Sequence, residues 1–177
     1  VSSGGLYQVT VTDNNGCSAT ADAMVTVYPL PVPVITGDSS ICSGETALMN
    51  AGSGYVSYLW SNGTTNQFNY ATLGGIYVVT VTDSNLCTGT SPSFYLEVLY
   101  ASANITYNSP LDFCNDDSVT LISDPALSYL WSDGSTSQSI TVNQTGQYMV
   151  SIIDINGCPA TSSIITTYMH EAPIISI

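Results

Sequence analysis

The stretch Tyr58–Gly63, with the sequence YLWSNG, returns 71 residues later as Tyr129–Gly134, with the sequence YLWSDG. Each copy places a Trp in an alternating apolar run that ends at Asn-Gly or Asp-Gly. This pattern is typical of a core strand that enters a tight hairpin, because Gly accepts the positive φ that such turns need. Trp60 and Trp131 are the two Trp residues of the chain. We therefore predict that each lies in the core of its own copy of one small β-domain.

A second phrase follows each Trp and also occurs once before the first of them. Gly75–Asp83 reads GIYVVTVTD, Gly146–Asp154 reads GQYMVSIID, and an earlier copy, Gly5–Asp13, reads GLYQVTVTD. The period of 70 to 72 residues predicts an array of small domains with separate cores, and not a solenoid of shorter units. Cysteines recur with the same period, three of them four residues after the last Asp of the phrase and two before a strand-like run: Cys17, Cys87 and Cys158, then Cys42 and Cys114.

Each repeat consists of short alternating runs separated by turn residues, and no stretch has the period of a helix. Several short strands per repeat, with a Trp in the middle, predict an all-β chain of tandem small immunoglobulin-like β-sandwich modules. A small closed barrel is the alternative arrangement. The penultimate strands are predicted over residues 76–82 and 147–153. Tyr77 and Tyr148, near the start of these strands, take the place of a tyrosine corner and are predicted core residues.

The repeats divide the chain into four parts. Residues 1–31 are the C-terminal part of one module, 32–101 and 102–171 are two complete modules, and 172–177 begin a further module. Since residue 1 falls inside a repeat, we expect the sequence to belong to a longer chain. Alternate prolines in Tyr28–Pro33 predict a stiff, extended connection, and we expect consecutive modules to be arranged as a rod.

The charge of the chain excludes several classes of partner. Thirteen Asp and Glu residues with no Lys or Arg give a net charge of −13. Binding to nucleic acid or to an anionic membrane surface needs cations, so we expect neither partner. No apolar run approaches the roughly 20 residues that span a bilayer, so we expect no membrane insertion. Disorder is not expected either, since 44% of the residues are apolar and 7% are charged.

The same composition argues against an enzyme. With no Lys, no Arg and one His, the chain has few groups for acid–base or covalent catalysis. His170 stands beside Glu171 in a predicted junction, where a linker role is the favoured interpretation. A glycosidase with paired carboxylates is compatible with the composition, but no acidic pair recurs outside a turn. We predict a protein without enzymatic activity and without a cofactor.

Three repeated aspartates, Asp13, Asp83 and Asp154, are weak candidates for a Ca²⁺ site. Each begins an Asp-x-Asn turn that offers oxygen ligands. A hairpin turn built by Asp and Asn is the favoured interpretation, because no bidentate Glu follows at ligand spacing. The densest acidic cluster, within Asp112–Asp117, is predicted to be a solvated loop.

Tyrosine supplies most of the aromatic surface, with twelve Tyr against three Phe. Tyr58 and Tyr129 belong to the predicted core. Five other tyrosines are less constrained, and we expect them to pack at module junctions in preference to stacking on sugars. These five are Tyr55, Tyr70, Tyr95, Tyr100 and Tyr107.

The repeated motifs resemble a known family. Cys-x-Gly-x-(Ser/Thr), Tyr-Leu-Trp-Ser-(Asn/Asp)-Gly and Gly-x-Tyr-x-Val-(Thr/Ser)-Val-Thr-Asp-x-Asn-Gly-Cys are similar to the tandem Ig-like repeats of very large Bacteroidetes surface adhesins. That family includes gliding-motility adhesins and other proteins exported by the type IX secretion route. The pattern covers nearly the whole chain. It departs at two turns, where Leu86 replaces the Gly before Cys87 and Asp116 replaces the Gly after Cys114.

The resemblance implies an extracellular, cell-surface location and a structural or adhesive role in a stalk or filament. Its expected partners are neighbouring repeats of the same chain, identical chains in a filament, and surface polysaccharide. Asp117–Val119 resembles the short sequence at which Bacteroidetes attach O-glycans, which makes Ser118 a weak glycosylation candidate. The alternative function is an Ig-like carbohydrate-binding or spacer module of a secreted polysaccharide-degrading enzyme.

The cysteines predict an oxidising, extracytoplasmic setting and allow two pairing schemes. One disulfide per module would join Cys42 to Cys87 and Cys114 to Cys158. In an Ig-like module, however, the turn after the first strand and the last hairpin lie at opposite ends. Five or six strand residues separate these ends, with a rise of roughly 3.3 Å per residue. A disulfide needs Cα atoms within about 7 Å. We therefore prefer an inter-module Cys42–Cys158 bond, with Cys17, Cys87 and Cys114 bonded to other modules.

Overall fold

A computed structural model of the protein describes residues 3–173. Over these residues the chain forms β-strands and no helix, which confirms the all-β prediction. The strands are β1 (Gly5–Thr12), β2 (Ser18–Val25), β3 (Thr36–Gly37), β4 (Ser40–Cys42), β5 (Ala47–Asn50), β6 (Ser57–Trp60), β7 (Phe68–Ala71), β8 (Gly75–Tyr77), β9 (Val79–Thr82), β10 (Thr88–Thr90), β11 (Phe94–Leu99), β12 (Ile105–Tyr107), β13 (Asp112–Cys114), β14 (Val119–Ser123), β15 (Ser128–Trp131), β16 (Ser139–Val142), β17 (Gly146–Tyr148), β18 (Val150–Ile153), β19 (Pro159–Thr161) and β20 (Ile165–His170). Residues 174–177, which belong to the predicted further module, lie outside the described residues.

The chain divides into two compact units. The first unit contains the residues up to 37 together with 49–69 and 76–94. The second unit contains 38–48, 70–75 and the residues from 95 onward. The module boundaries expected from the repeats stay predictions.

Within the second unit, β12 to β20 form an immunoglobulin-like sandwich. β14 lies between β12 and β16 in one antiparallel sheet, and β18 lies between β15 and β19 in another. β20 pairs with β17 in antiparallel fashion and with β13 in parallel fashion. This is the strand order of an Ig-like sandwich, with the first strand switching between layers, so the predicted fold class is confirmed. The strands of this unit form separate three-stranded sheets, and not the small closed barrel that was the alternative prediction.

The core of this sandwich comes from alternate residues of its strands. Trp131 is 2% exposed, and Val119, Leu121 and Val150 are fully buried. Side chains of the same strands that point away from the core are exposed, as Leu130 is beside Trp131. The alternation follows from the two-residue period of a strand, which sends successive side chains to opposite faces of the sheet.

The penultimate strand is interrupted, where the sequence predicted a continuous strand over 147–153. β17 ends at Tyr148 and β18 begins at Val150. Here the Val150 N–H donates to Ser162 Oγ over 3.0 Å, and the Ser162 N–H donates to the Val150 carbonyl over 2.9 Å. The chain changes partners here, since β17 pairs with β20 whereas β18 pairs with β15 and β19. Because the serine side chain accepts the Val150 N–H, this change leaves no buried donor unpaired.

The first unit repeats this local arrangement. The predicted strand 76–82 is interrupted at Val78, and the Val79 N–H donates to Ser91 Oγ over 3.1 Å. β6 pairs with β9 so that Trp60 lies opposite Val79, as Trp131 lies opposite Val150. β1 and β2 form a regular antiparallel hairpin in the same unit.

Candidate functional site

Three hairpins with one hydrogen-bonding pattern carry Cys17, Cys87 and Cys158. In each, Oδ1 of the Asp that begins the turn accepts two backbone N–H groups, from the residue two positions on and from the cysteine. For Asp154 the donors are Asn156 and Cys158, at 2.9 and 2.8 Å. Each carboxylate therefore closes its own turn and orients the cysteine backbone.

These bonds favour the turn interpretation of Asp13, Asp83 and Asp154 over the calcium interpretation. One carboxylate oxygen of each already accepts two N–H groups from its own hairpin. Among residues 3–173, no group of three or more His, Cys, Asp or Glu side chains converges in a way that could hold a metal ion.

The middle hairpin keeps its shape although it lacks the usual glycine. Gly16 and Gly157 have φ of 87° and 85°, and Leu86, at the same position, has φ of 63°. The Leu86 N–H still donates to the Asp83 carbonyl over 3.1 Å, as Gly157 does to Asp154 over 3.0 Å. A left-handed conformation is unfavourable for a residue with a Cβ atom. The hairpin is thus formed at a local cost.

The other two cysteines end short strands that pair in parallel with the last strand of a repeat. Cys42, at the end of β4, lies opposite Leu99, and Cys114, at the end of β13, lies opposite His170. The turn that follows is also shared: the carbonyl of each cysteine accepts the N–H of the residue three positions on, over 3.0 Å for Cys42 and 2.9 Å for Cys114. Cys42 and Cys114 thus occupy equivalent positions.

A disulfide joins Cys42 to Cys158, across 116 residues of sequence and with a Cα–Cα distance of 5.4 Å. Both residues belong to the second unit. This is the pairing that the strand-direction argument preferred. The alternative bonds Cys42–Cys87 and Cys114–Cys158 are not formed, because Cys42 and Cys158 are bonded to each other.

The remaining cysteines are free thiols in the structure. Cys17 and Cys114 are exposed, and Cys87 is half-buried. Cys158, in the same type of hairpin as Cys17, is 1% exposed. The predicted bonds of Cys17, Cys87 and Cys114 to other modules stay predictions.

Four of the six predicted core aromatic residues are buried, whereas Tyr58 and Tyr129 are only half-buried, with the hydroxyl of each hydrogen-bonded to a loop backbone group. Trp60 and Trp131 are each 2% exposed, and Tyr77 and Tyr148 are 8% and 6% exposed. Each indole N–H donates over 2.8 Å to a backbone carbonyl six residues on, Asn66 for Trp60 and Ser137 for Trp131. A buried Trp needs such a partner for its one polar group.

Other candidates from the sequence are on the surface. His170 Nε2 lies 3.3 Å from Asp112 Oδ1, with 66% and 69% of the two side chains exposed, so this pair contributes little to stability. Ser118 is exposed, as a glycosylation site requires. Tyr70, Tyr95 and Tyr100 are also exposed, while Tyr55 packs edge-on against Tyr58 with a centroid separation of 5.9 Å.

The surface cavity of about 400 Å³ on the outer face of β15, β18 and β19 carries no charged side chain. Its lining includes Leu130, Ser151 and Thr161. General acid–base chemistry needs a titratable group within reach of the reacting bond, and Tyr129 is the one titratable residue in the lining of this cavity. The part of the chain that the structure describes contains no helix long and apolar enough to cross a membrane.

No protein-family model matches the sequence, and no curated protein matches it either. Three solved structures illustrate the likeness in fold. The N-terminal eight Ig domains of Down Syndrome Cell Adhesion Molecule align with 95% of this chain and 27% of that chain, at 16% identity and a TM-score of 0.49. Three N-terminal domains of the bacteriophage RB49 Highly Immunogenic Outer Capsid protein align with 78% of this chain and 59% of that chain, at 19% identity and a TM-score of 0.44.

The third structure is of a 1.5-MDa bacterial ice-binding adhesin, aligned over 81% of this chain and 67% of that chain at 16% identity and a TM-score of 0.38. This chain thus spans 27%, 59% and 67% of the lengths of the three structures. Because the identities and TM-scores are low, the fold assignment rests on the strand order, and no functional conclusion follows from these similarities.

Proposed function

We propose that the protein is a structural and adhesive repeat segment of a long extracellular stalk or filament on a bacterial surface, without catalytic activity. The observation that carries this proposal is the Cys42–Cys158 bond, which closes a loop of 116 residues around most of two repeats. Small sandwiches with modest cores gain most from such a covalent link.

The bond gives the segment a mechanical property that suits a stalk. Tension applied between the two ends of the chain passes through the disulfide, and the strands between Cys42 and Cys158 are relieved of it. If those 116 residues unfolded and stretched, they would extend by about 400 Å. The closed loop prevents this extension for as long as the bond is intact.

Composition and repetition support the same role. The absence of Lys and Arg removes every site for trypsin-like proteases, which suits exposure outside the cell. The resemblance of the repeated motifs to Bacteroidetes adhesins adds gliding motility and type IX export to the proposal. Neighbouring repeats, identical chains in a filament and surface polysaccharide are the proposed partners.

Single-molecule pulling from the two ends of the chain tests this role. We expect the native protein to extend through the residues outside the Cys42–Cys158 loop only, and the Cys42→Ser variant to extend by about 400 Å more. Cys114→Ser is the matched control, since Cys114 is a free thiol, and it should behave as the native chain does. Equal extension of native and Cys42→Ser chains would contradict the mechanical role.

The carbohydrate-binding alternative is favoured by one observation, the exposed tyrosines. Tyr95 and Tyr100 of the second unit are 63% and 79% exposed, and exposed aromatic rings can stack on sugars. Retention of the purified chain on insoluble polysaccharide, lost in Tyr95→Ala or Tyr100→Ala, would support that alternative. Hydrolysis of a polysaccharide or ester by the purified chain, lost on changing one acidic residue, would overturn the non-catalytic proposal.

A further inference from the structure

The turn at Cys114 repeats the turn at Cys42 in every backbone feature described above. The two turns differ because Cys42 forms a disulfide and Cys114 is a free thiol. Cys42 is bonded to the cysteine of an Asp-x-Asn-Gly-Cys hairpin. Cys114 ends its strand in the same parallel pairing, is followed by the same turn, and is exposed. We call the turn that begins at Cys42 or Cys114 the receptor turn. The copy at Cys42 is bonded to a hairpin cysteine, and the copy at Cys114 is not.

A cavity lies beside the unoccupied copy. It has a volume of about 370 Å³, and its lining includes Pro110, Phe113, Cys114, Asp117 and Ser118. Both apolar and polar surface is therefore available around the thiol, as the tip of a polar hairpin that carries a cysteine requires. The second, independent observation that points to a ligand is the bond formed by the equivalent residue Cys42.

The hairpins at Cys17 and Cys87 have the form of the hairpin that the Cys42 turn binds. Their cysteine N–H groups donate to Asp13 and Asp83 over 2.9 Å each, as Cys158 donates to Asp154 over 2.8 Å. Their thiols are free, and Cys17 is exposed. The chain thus carries one free receptor cysteine, Cys114, and two free hairpin cysteines, Cys17 and Cys87.

We propose that the cavity beside Cys114 is a docking site for an Asp-x-Asn-Gly-Cys-type hairpin, and that a second copy of this chain supplies it from Cys17 or Cys87. The docked hairpin is then joined to Cys114 by a disulfide. This goes beyond the proposed function, since it describes the covalent joining of two chains, and it succeeds or fails whether or not the protein forms a surface stalk.

The joining step needs a disulfide oxidant, such as oxidised glutathione. The Cys114 thiolate attacks one sulfur of the oxidant and releases one reduced thiol, which leaves a mixed disulfide on Cys114. The hairpin thiolate of the second chain attacks the Cys114 sulfur and releases the second reduced thiol. Two protein thiols are thereby oxidised to one disulfide, one oxidant disulfide is reduced to two thiols, and the two protons lost by the protein are taken up by those thiols.

Charge predicts how the rate of joining depends on salt. Asp112, Asp116 and Asp117 lie within three residues of Cys114, and Asp112 and Asp117 line the cavity. The incoming hairpin carries an Asp as well. Like charges slow encounter, and added salt screens them over roughly 8–10 Å near 0.1–0.15 M ionic strength. Joining should therefore be faster at higher salt.

The test is oxidation of the native chain, with Cys42–Cys158 intact, by a mixture of oxidised and reduced glutathione. Products are separated by non-reducing electrophoresis and mapped by chymotrypsin and mass spectrometry. We expect oligomers whose linked peptides join Cys114 to Cys17 or Cys87. Cys114→Ser should reduce oligomer formation at least ten-fold, and so should the double variant Cys17→Ser/Cys87→Ser.

Two controls separate docking from random oxidation. Thr136→Cys in the Cys114→Ser background offers a thiol at another exposed loop position, and it should link at least ten-fold more slowly than Cys114. Ser118→Trp fills the cavity without touching a thiol, and it should slow the linking of Cys114 by a similar factor. Mainly symmetric Cys114–Cys114 dimers, equal rates for Thr136→Cys and Cys114, or no oligomers at all would each overturn the proposal.

Discussion

The two repeats have side chains of different polarity at one equivalent buried position, nine residues after the core Trp. In the first unit, Asn69 is fully buried and accepts hydrogen bonds from Asn62 Nδ2 over 3.1 Å and Thr64 Oγ1 over 3.2 Å. In the second unit the equivalent residue is Ile140, which is 7% exposed and belongs to the apolar core. A complete polar network and an apolar side chain both fill this site, because each leaves no buried polar group without a partner.

The comparison shows which features the fold itself requires. Both repeats keep the buried Trp, the serine at the strand interruption and the Asp-closed hairpin. They differ at Asn69 and Ile140, at Leu86 and Gly157, and at Gly89 and Ala160. The shared residues each meet a geometric requirement of the fold that no other residue in the two repeats meets. At the positions that differ, the surroundings of each residue fit the side chain that is present.

The largest effect is expected at the shared core. Trp131→Ala should lower the free energy of unfolding by about 3–5 kcal/mol, because it leaves a cavity in a buried site and removes the indole bond to Ser137. Trp60→Ala should cost a similar amount if the two repeats are equivalent. Denaturant titration measures both, with Leu130→Ala, on the exposed face, as a control expected to change stability by less than about 1 kcal/mol.

The second largest effect distinguishes the two receptor turns. Cys42→Ser should lower the free energy of unfolding by about 2–4 kcal/mol, since it opens the covalent loop. Cys114→Ser should change it by less than about 0.5 kcal/mol, because Cys114 is an exposed free thiol in the isolated chain. Thermal unfolding without reductant measures the difference, and equal losses in the two variants would contradict the assignment of the bond.

Placing the residue of the first repeat into the second tests whether the two core sites are interchangeable. Ile140→Asn should cost about 2–3 kcal/mol, because it puts an amide into an apolar core without its partners. Thr141→Asn, at the exposed neighbouring position, is the control and should be close to neutral. Urea unfolding measures both. A small cost for Ile140→Asn would mean that Asp133 and Ser135 already supply a network like that of Asn62 and Thr64.

Gly89 and Ala160 differ because of what packs on them. A Cβ atom at Gly89 would come within 1.8 Å of the Pro31 carbonyl oxygen, so the connecting segment must shift if a side chain is present. Gly89→Ala should cost about 1–2 kcal/mol, by analogy with the overpacking of other well-packed sites. Ala160→Gly, in the second unit, tests the reverse change and should cost about 0.5–1 kcal/mol from chain entropy. Denaturant unfolding of both variants checks these values.

The smallest effect is a gain in stability. Leu86→Gly should raise the free energy of unfolding by about 1 kcal/mol, because glycine adopts the left-handed conformation without a steric cost. Gly157→Leu should lower it by a similar amount in the second unit. The melting temperatures of the two variants should therefore move in opposite directions, and a loss in Leu86→Gly would show that the leucine side chain makes a stabilising contact.

Features that depend on neighbours in the chain can be predicted from the sequence. The alternation around Trp60 and Trp131 decides which side chains face inward, because a strand has a two-residue period. The Asp and Gly or Asn positions decide the hairpins, because those residues satisfy the turn locally. The period of the phrases determined that the same small sandwich occurs more than once.

Features that depend on residues distant in sequence are set by tertiary contacts. The interruptions at Val78 and Met149 are accompanied by bonds to Ser91 and Ser162, which directly follow the next strand, and no local sequence pattern predicts them. The need for glycine at position 89 comes from the Pro31 carbonyl. The sequence leaves two pairing schemes open for Cys42 and favours Cys158 only through an assumed strand order. The choice depends on which strand ends meet, and the Cα atoms of Cys42 and Cys158 lie 5.4 Å apart.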